Sequence, residues 1–201
     1  MKSVGILSYG VGNIKSAYRA FQKIGAKVNY VSYPAEIRKI DLLVLPGVGS
    51  FSHCKKKLVN QGLWTAVYEH ISENKPFLGI CVGMQLLFED SVEFGETEGF
   101  GIIKGSVQAL PRQIGLKIPM VGWKEVSFRE ANKMFTPQKF YFVHSFFGTP
   151  KCLDNQLAIY KYGKQEITAA VKKGHCIATQ FHPEKSGPAG LNFLGEVLKI
   201  V

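Results

Sequence analysis

Three short segments carry residue types suited to nucleophilic chemistry. Gly79-Ile80-Cys81-Val82-Gly83 follows the apolar run Phe77 to Ile80 and precedes a helical pattern. This is the glycine–x–nucleophile–x–glycine layout of a strand-to-helix elbow. So sharp a turn strains the backbone of its central residue, and flanking glycines remove the Cβ atoms it would strike. N–H groups at the start of the following helix favour a thiolate at Cys81. A second segment, Gln180-Phe181-His182-Pro183-Glu184, closes another buried run. Residues two apart in an extended chain point the same way, and Pro183 fixes φ between them. Glu184 then holds one imidazole nitrogen of His182 while the other faces a nucleophile. The third segment, Pro46-Gly47-Val48-Gly49, also follows a buried run. Its backbone admits close approach, and its N–H groups suit an oxyanion, with the Val82 N–H as the second donor.

Each segment alone has a plainer explanation: a buried thiol, a surface His-Pro-Glu, a tight turn. All three sit at the carboxyl ends of strand-like runs, where open α/β sheets place their sites. Cys81, His182 and Glu184 are therefore the candidate catalytic residues.

The elements that position them alternate between apolar runs and amphipathic stretches, which predicts a mostly parallel sheet flanked by helices. Strands are expected at Val4 to Ser8, Lys27 to Ser32, Leu42 to Leu45 and Phe77 to Ile80, with a last buried strand from Cys176 to Phe181. Helices are expected at Asn13 to Ile24, Phe51 to Asn60, Leu63 to Glu73 and Ala189 to Ile200, and another begins across Gly83 to Phe88. Past residue 100 the pattern changes to antiparallel or mixed strands around Val107, Val121 to Phe128, Phe140 to His144, Leu157 to Lys161 and Thr168 to Lys172. No repeat, low-complexity tract or linker interrupts the 201 residues, which predicts one domain over 1–201.

Composition narrows the function. Hydrophobic content of 46% and charged content of 20% fit a soluble globular protein. No apolar run approaches the roughly 18 residues of a membrane span, and no signal-peptide pattern opens the chain. A cytoplasmic protein with no membrane attachment is expected. The four cysteines form no C-x-x-C pair. A reducing compartment keeps them thiols, each by default a small buried residue, with Cys81 the exception. His53, His70 and His175 form no ligand-spaced cluster, so no metal is expected. A net charge of +10 raises nucleic-acid binding, but the densest run, Lys55-Lys56-Lys57, has no interleaved aromatics and no recognised binding motif. An acidic protein partner is the better use of that charge. Gly10-Val11-Gly12 follows a strand but lacks the third glycine of a dinucleotide fingerprint, Lys15 standing there, so it reads as a turn and no cofactor is expected.

Taken together the motifs resemble the class I (triad) glutamine amidotransferases. The matching stretches are Ser8 to Ile14, Leu45 to Phe51, Gly79 to Phe88, Val121-Gly122-Trp123, Tyr141 to Ser145 and Gln180 to Ser186, in order along nearly the whole chain. The resemblance implies a flavodoxin-like α/β fold and glutamine as substrate. It also implies that Cys81 attacks the carboxamide while His182 moves the proton. By it, Gly49, Gln85, Glu93, His144 and Ser145 hold the glutamine. Val48, Gly49 and Val82 form an oxyanion hole, on a strand whose peptide has to turn before the hole exists. Within the family the chain is most similar to glutaminase subunits that pair, as heterodimers, with a (β/α)8-barrel cyclase of histidine biosynthesis, and Asn13, Trp123 and Lys185 then face that partner. Trp123 and the aromatics from Phe140 to Phe147 are otherwise core by default. Pro119-Met120-Val121 and Lys124 depart from the usual pattern around Gly122-Trp123, and Phe146-Phe147-Gly148 lacks the tyrosine often found there. Those departures leave open a paralogue feeding ammonia to a sugar-aminating enzyme of surface glycans. A stand-alone cysteine hydrolase is the other alternative.

Overall fold

Leu42 to Leu45 and Phe77 to Ile80 are apolar at every position and buried at every position, as strands covered on both faces require. In a computed structural model, which describes residues 2–129, 135 and 137–200, they become inner strands of a nine-stranded sheet. In chain order the elements are β1 (Ser3–Leu7), α1 (Ile14–Lys23), β2 (Lys27–Val31), α2 (Pro34–Ile37), β3 (Leu42–Gly47), α3 (Phe51–Asn60), α4 (Leu63–Ser72), β4 (Phe77–Cys81) and α5 (Val82–Gln85). There follow β5 (Phe88–Ser91), β6 (Thr97–Glu98), β7 (Ile103–Ala109), β8 (Met120–Phe128), β9 (Gln138–His144), β10 (Phe146–Pro150), β11 (Gln156–Tyr162), β12 (Gln165–Lys173), β13 (Cys176–Thr179) and α6 (Gly187–Lys199).

The large sheet has the order β2-β1-β3-β4-β13-β12-β11-β8-β9. It is parallel from β2 to β13 and antiparallel beyond. Most strands past residue 100 thus extend the central sheet, and a smaller mixed sheet, β10-β7-β5-β6, lies beside it. Stacked rings seat α6 against the sheet: Phe140 lies 4.1 Å from Phe181, and Phe193 of α6 lies 5.3 Å from Phe181. That packing anchors the residue immediately before His182.

One element differs from its sequence pattern. The helix expected across Gly83 to Phe88 is the single turn α5, and the chain then enters β5. The carbonyls of Leu86, Leu87 and Phe88 accept from Phe100, Ile103 and Gly101 at 2.7, 2.9 and 3.0 Å. Long-range backbone pairing takes the acceptors that a second helical turn would use, and local periodicity cannot register it. The short helix α2 and strand β10 also had no clear sequence signal. Of the cysteines, Cys54, Cys81 and Cys176 are buried, but Cys152 is exposed, against the default for a thiol. Lys56 and Lys57 lie on the exposed face of α3. No helix among the described residues is long and apolar enough to cross a membrane.

Glycine lets the elbow sink onto its neighbours. A Cβ on Gly83 would collide with the Leu45 carbonyl oxygen of β3, and one on Gly79 would stand 2.6 Å from the Gly83 carbonyl oxygen. Gly195, inside α6, has open space around it and an ordinary φ. Gly83→Ala should therefore lower unfolding free energy by about 3 kcal/mol, whereas Gly195→Ala should raise it by about 0.5–1 kcal/mol. Urea unfolding of both variants checks this contrast, and equal effects would contradict it.

Candidate active site

Cys81 is the last residue of β4 and sits at φ 57°, ψ −111°. A non-glycine residue there stores about 1–3 kcal/mol of strain, which the surrounding packing has to hold. Because α5 is only one turn long, it contributes little macrodipole, contrary to what the apparent helix suggested. The electrostatic partner of the Cys81 sulfur is instead an imidazole.

His182 follows β13 at the start of a turn over Pro183–Lys185. Its main chain is fixed on both sides. The His182 N–H donates to the Tyr141 carbonyl at 2.9 Å, and its own carbonyl accepts from the Ser186 hydroxyl at 2.6 Å. That hydroxyl also accepts from the Tyr141 N–H at 3.0 Å. Nδ1–H donates to Glu184 Oε1 at 2.8 Å, with the two side chains 2% and 1% exposed. Nε2 is buried and makes no well-formed hydrogen bond, yet it lies against Cys81. Burial pulls the imidazole down, but the Cys81 sulfur and the Glu184 carboxylate outweigh it and raise its pKa. Glu184 Oε1 also accepts from Asn13 Nδ2 at 3.4 Å, while Oε2 is buried without a partner. Asn13, expected at a partner face, thus reaches the His-Glu pair.

These groups open on a cavity of about 160 Å³ lined by Val48, Gly49, Cys81, Val82, Gln85, Glu93, Val143, His144, Ser145, Phe146 and His182. It brings together the nucleophile, the base, the Val48, Gly49 and Val82 backbones, and every residue expected to hold substrate. Larger clefts, of about 780 Å³ beside α2 and α4 and about 440 Å³ beside α6, contain no cysteine. Among the described residues no group of three His, Cys, Asp or Glu side chains could hold a metal.

The lining residues are differently committed. Gln85 donates from Nε2 to the Phe146 carbonyl and to Gln180 Oε1, both at 3.0 Å. Glu93 Oε2 accepts from the Phe51 N–H at 2.8 Å. His144 has both ring nitrogens engaged: Nδ1–H donates to the Phe146 carbonyl at 2.8 Å, so Nε2 accepts from the Tyr160 hydroxyl at 2.9 Å. Burial pushes His144 down to about 4, against the pull of the Phe146 carbonyl and with help from His182. Behind the Pro46–Gly49 segment, Tyr9 donates to the Pro46 carbonyl at 2.8 Å and Cys54 to the Val48 carbonyl at 3.4 Å. Burial pushes Cys54 up to about 11, which keeps it a thiol and a donor. Trp123 is 53% exposed, packed edge-on against Tyr141, so it is not core. Lys185 is exposed beside the His-Glu pair. Gln180, Ser186, Tyr160, Tyr9 and Cys54 were not anticipated as parts of the site. Gln180 and Ser186 stand within the His-Pro-Glu motif, but only the three-dimensional contacts give them a task.

A strained cysteine facing a His-Glu pair is a nucleophile with its base and orienting acid. The model of the glutamine amidotransferase class-I family matches residues 6–198. The chain belongs to this family. The imidazole glycerol phosphate synthase subunit HisH of Caldanaerobacter subterraneus subsp. tengcongensis is 41% identical over 203 residues, covering 98% of either chain. Subunit HisH 1 of the same synthase from Legionella pneumophila (strain Lens) is 42% identical over 214 residues, covering all of both. A solved structure described as a glutamine amidotransferase shares the fold at TM-score 0.78 and 18% identity, with 98% of this chain and 97% of that one covered.

The neutral His144 gives this amidotransferase a definite acid response. In the unfolded chain the ring gains a proton near its ordinary pKa of about 6.5, but in the fold only near 4. Between those values the unfolded state binds the extra proton, so stability falls as pH drops through the window. By pH 5 the loss reaches on the order of 2 kcal/mol. Urea unfolding at pH 7 and pH 5 should show a smaller drop for His144→Gln than for the parent, and identical drops would contradict this assignment.

Proposed function

We propose that the chain is the glutaminase subunit of imidazole glycerol phosphate synthase. It hydrolyses glutamine to glutamate and ammonia. The ammonia passes to a (β/α)8-barrel cyclase subunit that forms imidazole glycerol phosphate and the AICAR by-product in histidine biosynthesis. The observation that carries this reading is the elbow thiol of Cys81 against the His182–Glu184 pair, in a cavity of about 160 Å³. The HisH relatives at 41% and 42% identity over essentially full length supply the pathway.

In this reading Gln85 and Glu93 take the amino-acid end of glutamine, and the backbones of Gly49, His144 and Ser145 complete the grip. Cys81 attacks the carboxamide carbon as a thiolate, and the developing oxyanion is received by backbone N–H groups of Val82 and of Val48 or Gly49. His182, holding its proton through Glu184, passes it to the leaving nitrogen, so ammonia departs and a thioester remains. Water, deprotonated by His182, then attacks the thioester and releases glutamate.

The partner docks on the rim of the site. Val48, Val121, Trp123 and Val143 are apolar yet 38–55% exposed. Val121 pairs with Val143 across β8 and β9, while Val48 and Val143 also line the cavity. A partner pressing on Val48 acts directly on the Pro46–Gly49 segment, which links docking to formation of the oxyanion hole. The net charge of +10 favours an acidic partner face, and the complex works in the cytoplasm.

In the reconstituted complex, Cys81→Ala should reduce glutamine-dependent synthesis by about 10⁴-fold or more while added ammonia still supports it. Retained glutamine-dependent turnover would overturn the reading. Trp123→Ala should weaken the complex by roughly 10- to 100-fold. Calorimetric titration checks it, and unchanged affinity would remove Trp123 from the interface.

A further inference from the structure

Gln180 is fully buried at the end of β13, and Gln85 is 3% exposed. A buried amide costs stability unless its polar atoms are bonded, so the partners of these two side chains define their roles. The Phe146 carbonyl can only accept. Its contact with Gln85 at 3.0 Å therefore requires the amide nitrogen of Gln85 on that side. The same nitrogen meets Gln180 at 3.0 Å, which requires the oxygen of Gln180 to face it. The nitrogen of Gln180 is then turned toward the Cys81 sulfur, at 3.7 Å. A single backbone carbonyl, two amides away, thus decides that Cys81 meets a donor. Reversing either amide would set oxygen against oxygen or nitrogen against nitrogen. The same order spends the Gln85 nitrogen on protein acceptors.

We propose that Gln180 is a positioning residue for the nucleophile: its side-chain N–H, oriented through Gln85 by the Phe146 carbonyl, holds the Cys81 sulfur and favours its thiolate form. A hydrogen bond to sulfur stabilises S⁻ more than S–H, because the anion is the stronger acceptor. Gln180 complements His182, which presents its Nε2 to Cys81 from a separate turn. The inference rests on the reading of Cys81 as nucleophile, but it is a statement about the sulfur and is measured there.

The test follows iodoacetamide alkylation of the Cys81 peptide by mass spectrometry across pH, in the complex with the partner. Gln180→Glu keeps the shape and removes the N–H, and Gln180→Met removes the amide altogether. Both should move the alkylation midpoint upward by about one pH unit or more, since a hydrogen bond to a charged group is lost. Profiles that superimpose on the parent would overturn the proposal. The unmodified protein supplies a second readout. The side-chain amide protons of Gln180 in the NMR spectrum should shift with the same midpoint as Cys81 alkylation, and a pH-independent signal would overturn the proposal whether or not the variants fold. Alkylation reports on the thiol regardless of turnover, so retained glutamine-dependent synthesis in Cys81→Ala would defeat the proposed function without deciding this one.

Discussion

Cys81 occupies a backbone conformation that only its neighbours make tenable, and those neighbours are three adjacent parallel strands. β4 lies between β3 and β13, with Gly47 opposite Cys81 and Ala178 opposite Gly79. Parallel strands end at the same edge of a sheet, so the three connections that leave them emerge side by side. β3 delivers the Pro46–Gly49 segment, β4 delivers the nucleophile, and β13 delivers Gln180, His182 and Glu184. Segments more than 130 residues apart in sequence meet because of this one topological fact. The glycines at 47, 79 and 83 let backbone pack on backbone where a Cβ would force the strands apart. The strain at Cys81 is thereby held by a rigid core rather than relieved by a loop.

Burial then sorts the titrating groups. His144 and His182 share the cavity but shift in opposite directions, His144 down and His182 up. The difference lies in their company. His144 is bonded to a carbonyl and a neutral hydroxyl, so nothing offsets the loss of solvent and its ring stays neutral. His182 faces a carboxylate and a sulfur, and these reverse the sign. One histidine is therefore able to carry a proton at neutral pH, while the other is a fixed strut. Proton transfer is confined to the imidazole that touches the nucleophile.

The elbow and the His-Pro-Glu motif were legible because their chemistry is written in consecutive residues. The buried runs of β3, β4 and β13 were legible because both faces of those strands are covered, which leaves no polar position to confuse the pattern. The second turn of α5 was misread because Leu86, Leu87 and Phe88 give their carbonyls to residues 100–103, a pairing that no local window contains. The contacts of Gln180 with Gln85 and Cys81 span 95 and 99 residues, and that of Asn13 with Glu184 spans 171. Such partners are set by strand order, which sequence periodicity leaves undetermined. Exposure of Trp123 is a similar case: an aromatic in a strand is core by default, and only its position on the outer strand β8 turns it outward.

The central claim is that the strained thiol of Cys81 attacks glutamine with His182 and Glu184 in support. Acid-quenching the chain with its partner during turnover, followed by peptide mass spectrometry, observes that step directly. The account predicts one glutamyl group carried as a thioester on the Cys81 peptide, absent when glutamate replaces glutamine. Turnover of glutamine with Cys81 unmodified, or with the glutamyl group on another side chain, would contradict it.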